Sequence, residues 1–157
     1  MDSLIPGHET SVLCIGQPKP GLFVNVFLKM FAIMDNLLVE KTNKTPLVSF
    51  NTDGHIRISG RSIPEDPLRF YEPLYIWIFE YIANPQLNTI IDIELEYFNS
   101  GSSKSILYIL REFLDLKNKG LNVTFNWFYE SGDDDIRERG EYYSSILEID
   151  INIIERK

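Results

Sequence analysis

The sequence predicts one α/β domain built in two layers, a mixed β-sheet with helices on one face, in the order β-β-α-β-α-β-α-β. Three observations predict it. Runs with period two, such as "NTIIDIELEYFN" and "LNVTFNWFY", alternate with runs of helical period, such as "SILYILREFLDLKNKG". The strands alternate instead of being apolar throughout, so helices can cover only one face of the sheet. The strand–helix–strand unit from residue 88 to residue 121 onward has the length of a right-handed crossover, which makes its two strands parallel.

Residues 1–33 differ from the rest, first Gly- and Pro-rich and then apolar. They read as an extension, with the domain proper at 34–157; the alternative is an N-terminal helix packing Phe23, Phe27 and Phe31 on the domain. The apolar run of residues 21–34 carries Asn25 and Lys29 and is too short to span a bilayer, and its flanks give little support to a signal peptide.

"TPLVSF" and "HIRIS" are β-rich runs joined by "NTDG", whose Asp53-Gly54 suits a tight hairpin. Asp66 is placed to cap the next helix and Pro67 to occupy its first position, where a missing N–H costs nothing. Phe70, Leu74, Trp77, Ile78 and Tyr81 then mark one helical face, with Pro73 expected to kink the first turns unless the helix starts near it. In the following strand Ile91, Ile93, Leu95 and Tyr97 lie on one side, Asp92, Glu94 and Glu96 on the other. The second run returns to helical spacing through Ile106, Leu107, Leu110, Phe113 and Leu114 and closes on Lys117, Lys119 and a C′ glycine, Gly120. Leu121, Val123, Phe125, Trp127 and Tyr129 form the next alternating strand, an acidic turn caps a third helix, and "LEIDINII" closes the sheet.

The net charge of −8 repels nucleic acid and anionic lipid, so neither a nucleic-acid nor a membrane partner is expected. Cys14 is the single cysteine; no disulfide or zinc spacing exists, which fits a cytoplasmic protein. The sequons at Asn43 and Asn122 then carry no meaning. No metal or other cofactor is expected.

"NSGSSKS" places Ser100, Ser102, Ser103 and Ser105 around Lys104, between a strand and a helix. With histidine only at His8 and His55, and no G-x-S-x-G elbow, no serine hydrolase is built here. One glycine is too few for a nucleotide-phosphate loop. Ser102 or Ser103 suits the N-cap, which leaves Ser100 on an exposed loop beside a helix N-terminus and Lys104. Asp133, Asp134 and Asp135 suggest a hard-metal site, yet carboxylates in a first helical turn are what the macrodipole favours. Glu94 and Glu96 could pair as acid and base, though an alternating strand more often solvates such residues.

Three phrases, "TPLVSFNTDGHIRISGRSIPEDPLRFYEPLYIWIFEYI", "IELEYFNSGSSKSILYIL" and "VTFNWFYESGDDDIRERGEYY", resemble the SiaC family of bacterial regulatory phosphoproteins from about Asn36 to the last strand. The resemblance implies a STAS-like, anti-anti-sigma-like fold and a phosphoacceptor in the "YFNSGSSK" loop. Ser100 stands where the best-known members have threonine, with Asn99, Gly101, Ser102, Ser103 and Lys104 supporting the loop; Ser102 and Ser103 stay open as acceptors. It also implies a partner-switching Ser/Thr kinase and phosphatase, and control of a diguanylate cyclase in biofilm growth. Serine for threonine keeps the hydroxyl, Gly101 is expected to loosen the loop, and Arg61 in "GRS" is a candidate phosphate neighbour. The competing readings are a metal-dependent enzyme using Asp133 to Asp135, and an interaction module with no modification.

Overall fold

The computed structural model describes residues 34–157, so the expectations for residues 1–33 lie outside it. The elements are β1 (Leu37–Val39), β2 (Leu47–Phe50), β3 (His55–Ser62), α1 (Pro67–Ala83), β4 (Asn88–Phe98), α2 (Ser100–Asn118), β5 (Asn122–Glu130), α3 (Asp134–Leu147) and β6 (Ile151–Arg156). The expected order is present, preceded by one further strand, β1. Three residues are too few to show a period, so β1 left no pattern to read.

The sheet runs β1-β2-β3-β4-β5-β6, antiparallel through β3 and parallel from β3 to β6. Each parallel step advances by one strand in the same direction. Right-handed crossovers that all step the same way place α1, α2 and α3 on one face. The hairpin between β2 and β3 closes at Gly54, which has φ +98° and leaves no room for a Cβ, since one would sit 2.4 Å from the Asn88 carbonyl oxygen.

Ile56, Ile58, Ile91, Ile93, Val123, Phe125 and Trp127 supply the sheet side of the core, and Leu74, Ile78, Ile109, Leu110 and Phe113 the helix side. Asp66 caps α1 by accepting the Arg69 N–H at 3.1 Å, and Pro67 opens the helix, which continues through the exposed Pro73. Tyr71, not Phe70, is the buried residue of the first turns; Phe70 lies edge-on to it at 5.1 Å. Tyr97 is 57% exposed despite its place in the alternation, because the pairing with β3 skips Glu96, between Gly60–Leu95 and Arg61–Tyr97, and this irregularity takes Tyr97 out of the two-residue period. On the face that carries none of the described helices Asp92 is only 7% exposed, held by His55 at 2.9 Å and Asn126 at 2.8 Å. Glu94 accepts from Arg57 and, at 2.9 Å, from Arg156. Glu94 is therefore a hub of ion pairs across the strands, which occupies the carboxylate that acid–base chemistry with Glu96 would need.

Candidate functional site

The serine cluster forms the first turn of α2, and the chain enters it from β4. Asn99 is the N-cap: its backbone is extended, with φ −83° and ψ 174°, and its Oδ1 accepts the Ser102 N–H at 2.8 Å. Its own N–H donates to the Ser62 carbonyl at 3.1 Å, which ties the turn to the end of β3. The cap is thus Asn99 instead of Ser102 or Ser103, and Ser100 is the first helical residue, not part of a preceding loop. Asparagine caps as well as serine does. Once it does so, the following serines are free for other bonds.

Those bonds separate the four hydroxyls. Ser102 is fully buried and accepts from Ser62 Oγ at 2.8 Å, while Tyr71 OH, 2.8 Å from Ser62, donates to complete the chain. Burial pushes the Tyr71 phenol up to about 12, with the bonds to Ser62 and Ser102 pulling back. Ser103 Oγ donates to Tyr143 OH at 2.6 Å, and Tyr143 returns its proton to the Ser103 carbonyl at 3.1 Å. The Tyr143 phenol is raised too, by burial first, with Ser103 and Arg139 working against it. Both tyrosines are neutral donors at ordinary pH. Ser105 Oγ bonds the Gly101 carbonyl at 3.4 Å. Ser100 alone of the four is exposed.

Gly101 does not loosen this turn. A Cβ there would lie 2.6 Å from Pro67 Cγ, so the starts of α1 and α2 press together at a position that only glycine fills. Lys104 is exposed one turn after Ser100, at the i, i+4 spacing that lets two side chains meet. Arg61 is exposed opposite Tyr97; its neighbour Ser62 faces the helices, so strand alternation sends Arg61 towards the other face. The structure therefore brings Asn99, Gly101, Ser102, Ser103 and Lys104 around Ser100, and does not bring Arg61 there. Ser62, Tyr71 and Tyr143 are site residues that no local motif announces, because they come from β3, α1 and α3.

At the acidic turn, Asp133 Oδ1 accepts the Ile136 N–H at 3.1 Å and caps α3, and Arg137 binds Asp134. Among the described residues no group of three His, Cys, Asp or Glu side chains is placed to hold a metal.

Fold and turn together define an α/β domain with a single described sheet and an exposed serine hydroxyl at a helix start. A model of the SiaC family of regulatory phosphoproteins matches residues 39–156, and the chain belongs to that family. It is 24% identical over 111 residues to an uncharacterized protein of Pseudomonas aeruginosa strain UCBPP-PA14, spanning 70% of this chain and 88% of that one. The solved structure of SiaC of Pseudomonas aeruginosa superimposes with a TM-score of 0.71 at 22% identity, covering 78% of this chain and 100% of the other. A crystal structure of the diguanylate cyclase SiaD in complex with its activator SiaC, from the same organism, contains a chain matched with a TM-score of 0.70 at 23% identity, covering 76% of this chain and 99% of that one.

Proposed function

We propose that this chain is a cytoplasmic regulatory phosphoprotein whose acceptor is Ser100, and that its unmodified form binds and activates a diguanylate cyclase. A cognate Ser/Thr kinase and phosphatase would set the modified fraction, and through it cyclic-di-GMP output and biofilm growth. The chain acts by binding, not by catalysis. The observation that carries the reading is the sorting of the serine hydroxyls: three are engaged in hydrogen bonds and Ser100 is left exposed at a helix N-terminus. The SiaD–SiaC complex supports the class of partner. No described helix is long and apolar enough to cross a membrane.

The turn also lies among side chains that a partner would bury. Leu68 follows the Pro67 that packs on Gly101, and Tyr142 adjoins the Tyr143 bonded to Ser103; both are exposed. A phosphoserine of roughly −1.5 to −2 charges in that surface would have to be dehydrated on docking. Incubation with the cognate kinase and ATP, followed by mass spectrometry, should place phosphate on Ser100 and nowhere else in the turn, and S100A should abolish it. S100A should keep the cyclase partner while S100D loses it. Equal binding by both variants would leave a constitutive interaction module.

A further inference from the structure

The sheet ends differently at its two edges. β1 is three residues long, whereas β6 offers six, and among the described strands it pairs with β5 alone. One bond tells which backbone groups of β6 are turned outward. The Ser131 N–H donates to the Arg156 carbonyl at 3.0 Å, so the peptide groups of Arg156 face β5. By strand geometry those of Ile154 and Asn152 do too, and the N–H and C=O groups of Ile151, Ile153 and Glu155 point away from the sheet. Charge along this edge is polarised: Glu148 and Asp150 lead into the strand, and Arg156 and Lys157 outweigh Glu155 at its end. Charged ends discourage indiscriminate edge pairing. Here they also select a direction, since a parallel neighbour of the same sequence would set like against like and an antiparallel one sets opposite against opposite.

We propose that β6 docks against β6 of a second copy of this chain, antiparallel, about a two-fold axis at Ile153. Outward-facing residues can pair only with outward-facing residues, which makes Ile153 face Ile153 of the second copy and Ile151 face its Glu155 as hydrogen-bonded pairs. Asp150 then stands opposite Arg156 of the second copy in a non-hydrogen-bonded pair, the type that brings side chains closest. Arg156 already binds Glu94 at 2.9 Å and lies 4.9 Å above the Phe128 ring, and a guanidinium with five donors retains capacity for Asp150. Ile153 and Ile154, half-buried at the edge, lose their remaining exposure, and two sheets become one. The contact is isologous, so it closes at a dimer.

Sedimentation equilibrium on the full chain should show a mass rising with concentration from 18.3 kDa towards twice that value. Amide exchange should slow with concentration at Ile151, Ile153 and Glu155, and stay unchanged at Asn152 and Ile154. E155P removes an outward N–H and leaves the ladder to β5 intact, and D150R sets a cation opposite Arg156; each should weaken the dimer by more than about tenfold. D150R lies at an exposed position just before β6 and serves even if E155P fails to fold. A constant mass of 18.3 kDa up to the solubility limit overturns the proposal. So does a dimer that survives D150R, or one whose protection falls on other amides.

Discussion

Two helix starts in this domain solve the same problem in different ways. Both α2 and α3 follow a parallel strand, and both satisfy orphan N–H groups with a side-chain cap, Asn99 in one and Asp133 in the other. At α3 the cap is an acid, Asp134 and Asp135 follow in the first turn, and Arg137 links Asp134 to Glu141. At α2 the cap is neutral and the first turn holds no acid. The positive end of the α3 dipole is answered by its own sequence; that of α2 is not. A phosphate on Ser100 would add to α2 the kind of charge that α3 carries permanently.

The starts differ also in how they are held, and alkaline unfolding should break the comparison most widely. The α2 turn hangs on buried phenols. Tyr71 ionises near 10 when unfolded and only at about 12 when folded. The unfolded chain therefore loses its proton first as pH rises. The stability tied to that shift is fully present below pH ~10 and fades up to pH ~12, amounting to roughly 2–3 kcal/mol. Denaturant midpoints across this range should fall less steeply for Y71F than for the parent chain. Some slope persists through Tyr143, shifted in the same direction. Parallel curves would mean that Tyr71 is not the group that couples this turn to pH.

Next in size is the contact between helix starts. G101A forces a methyl group against the stiff ring of Pro67 and should cost about 1–3 kcal/mol in urea unfolding. D135A, at an exposed place in the α3 turn, should stay within about 0.5 kcal/mol plus its small share of the dipole term. If the two substitutions cost the same, the close approach at Gly101 is not what fixes the α2 turn.

Why one start was easier to read than the other follows from where its bonds come from. The α3 turn is local: Asp133 caps a residue three places on, and Asp134, Arg137 and Glu141 pair within one helix. The cap at Asp66 with Pro67, the hairpin at Gly54 and the alternating strands β4 and β5 are local in the same sense, and they stand as the sequence predicts. At α2, Asn99, Ser102 and Ser103 are comparable caps by residue type. The choice among them is made at distance, by Ser62 and Tyr71 on Ser102 and by Tyr143 on Ser103, across 31 to 40 positions. Gly101 likewise has its reason in Pro67, on another helix. The place of the candidate site in the fold, between β4 and α2, was legible in "YFNSGSSK", and the bonds that sort its hydroxyls were written elsewhere in the chain.

The smallest expected effect is the one that bears most directly on the proposed switch at Ser100. S100D puts a carboxylate at the first position of α2, where a negative charge is worth about 0.3–1 kcal/mol, and Lys104 one turn on adds to the attraction. D135N removes a charge of the same kind from α3 and should cost a similar amount. The two variants should therefore shift the urea midpoint in opposite directions, and both shifts should shrink at ~1 M salt, where the Debye length is about 3 Å. A destabilising S100D would show that the α2 turn cannot take a negative charge without strain, and modification would then act by loosening the helix start. A stabilising S100D means the opposite: the modified domain is at least as well folded as the unmodified one. Loss of a partner would then come from the hydrated charge on the docking surface, with the fold beneath it unchanged.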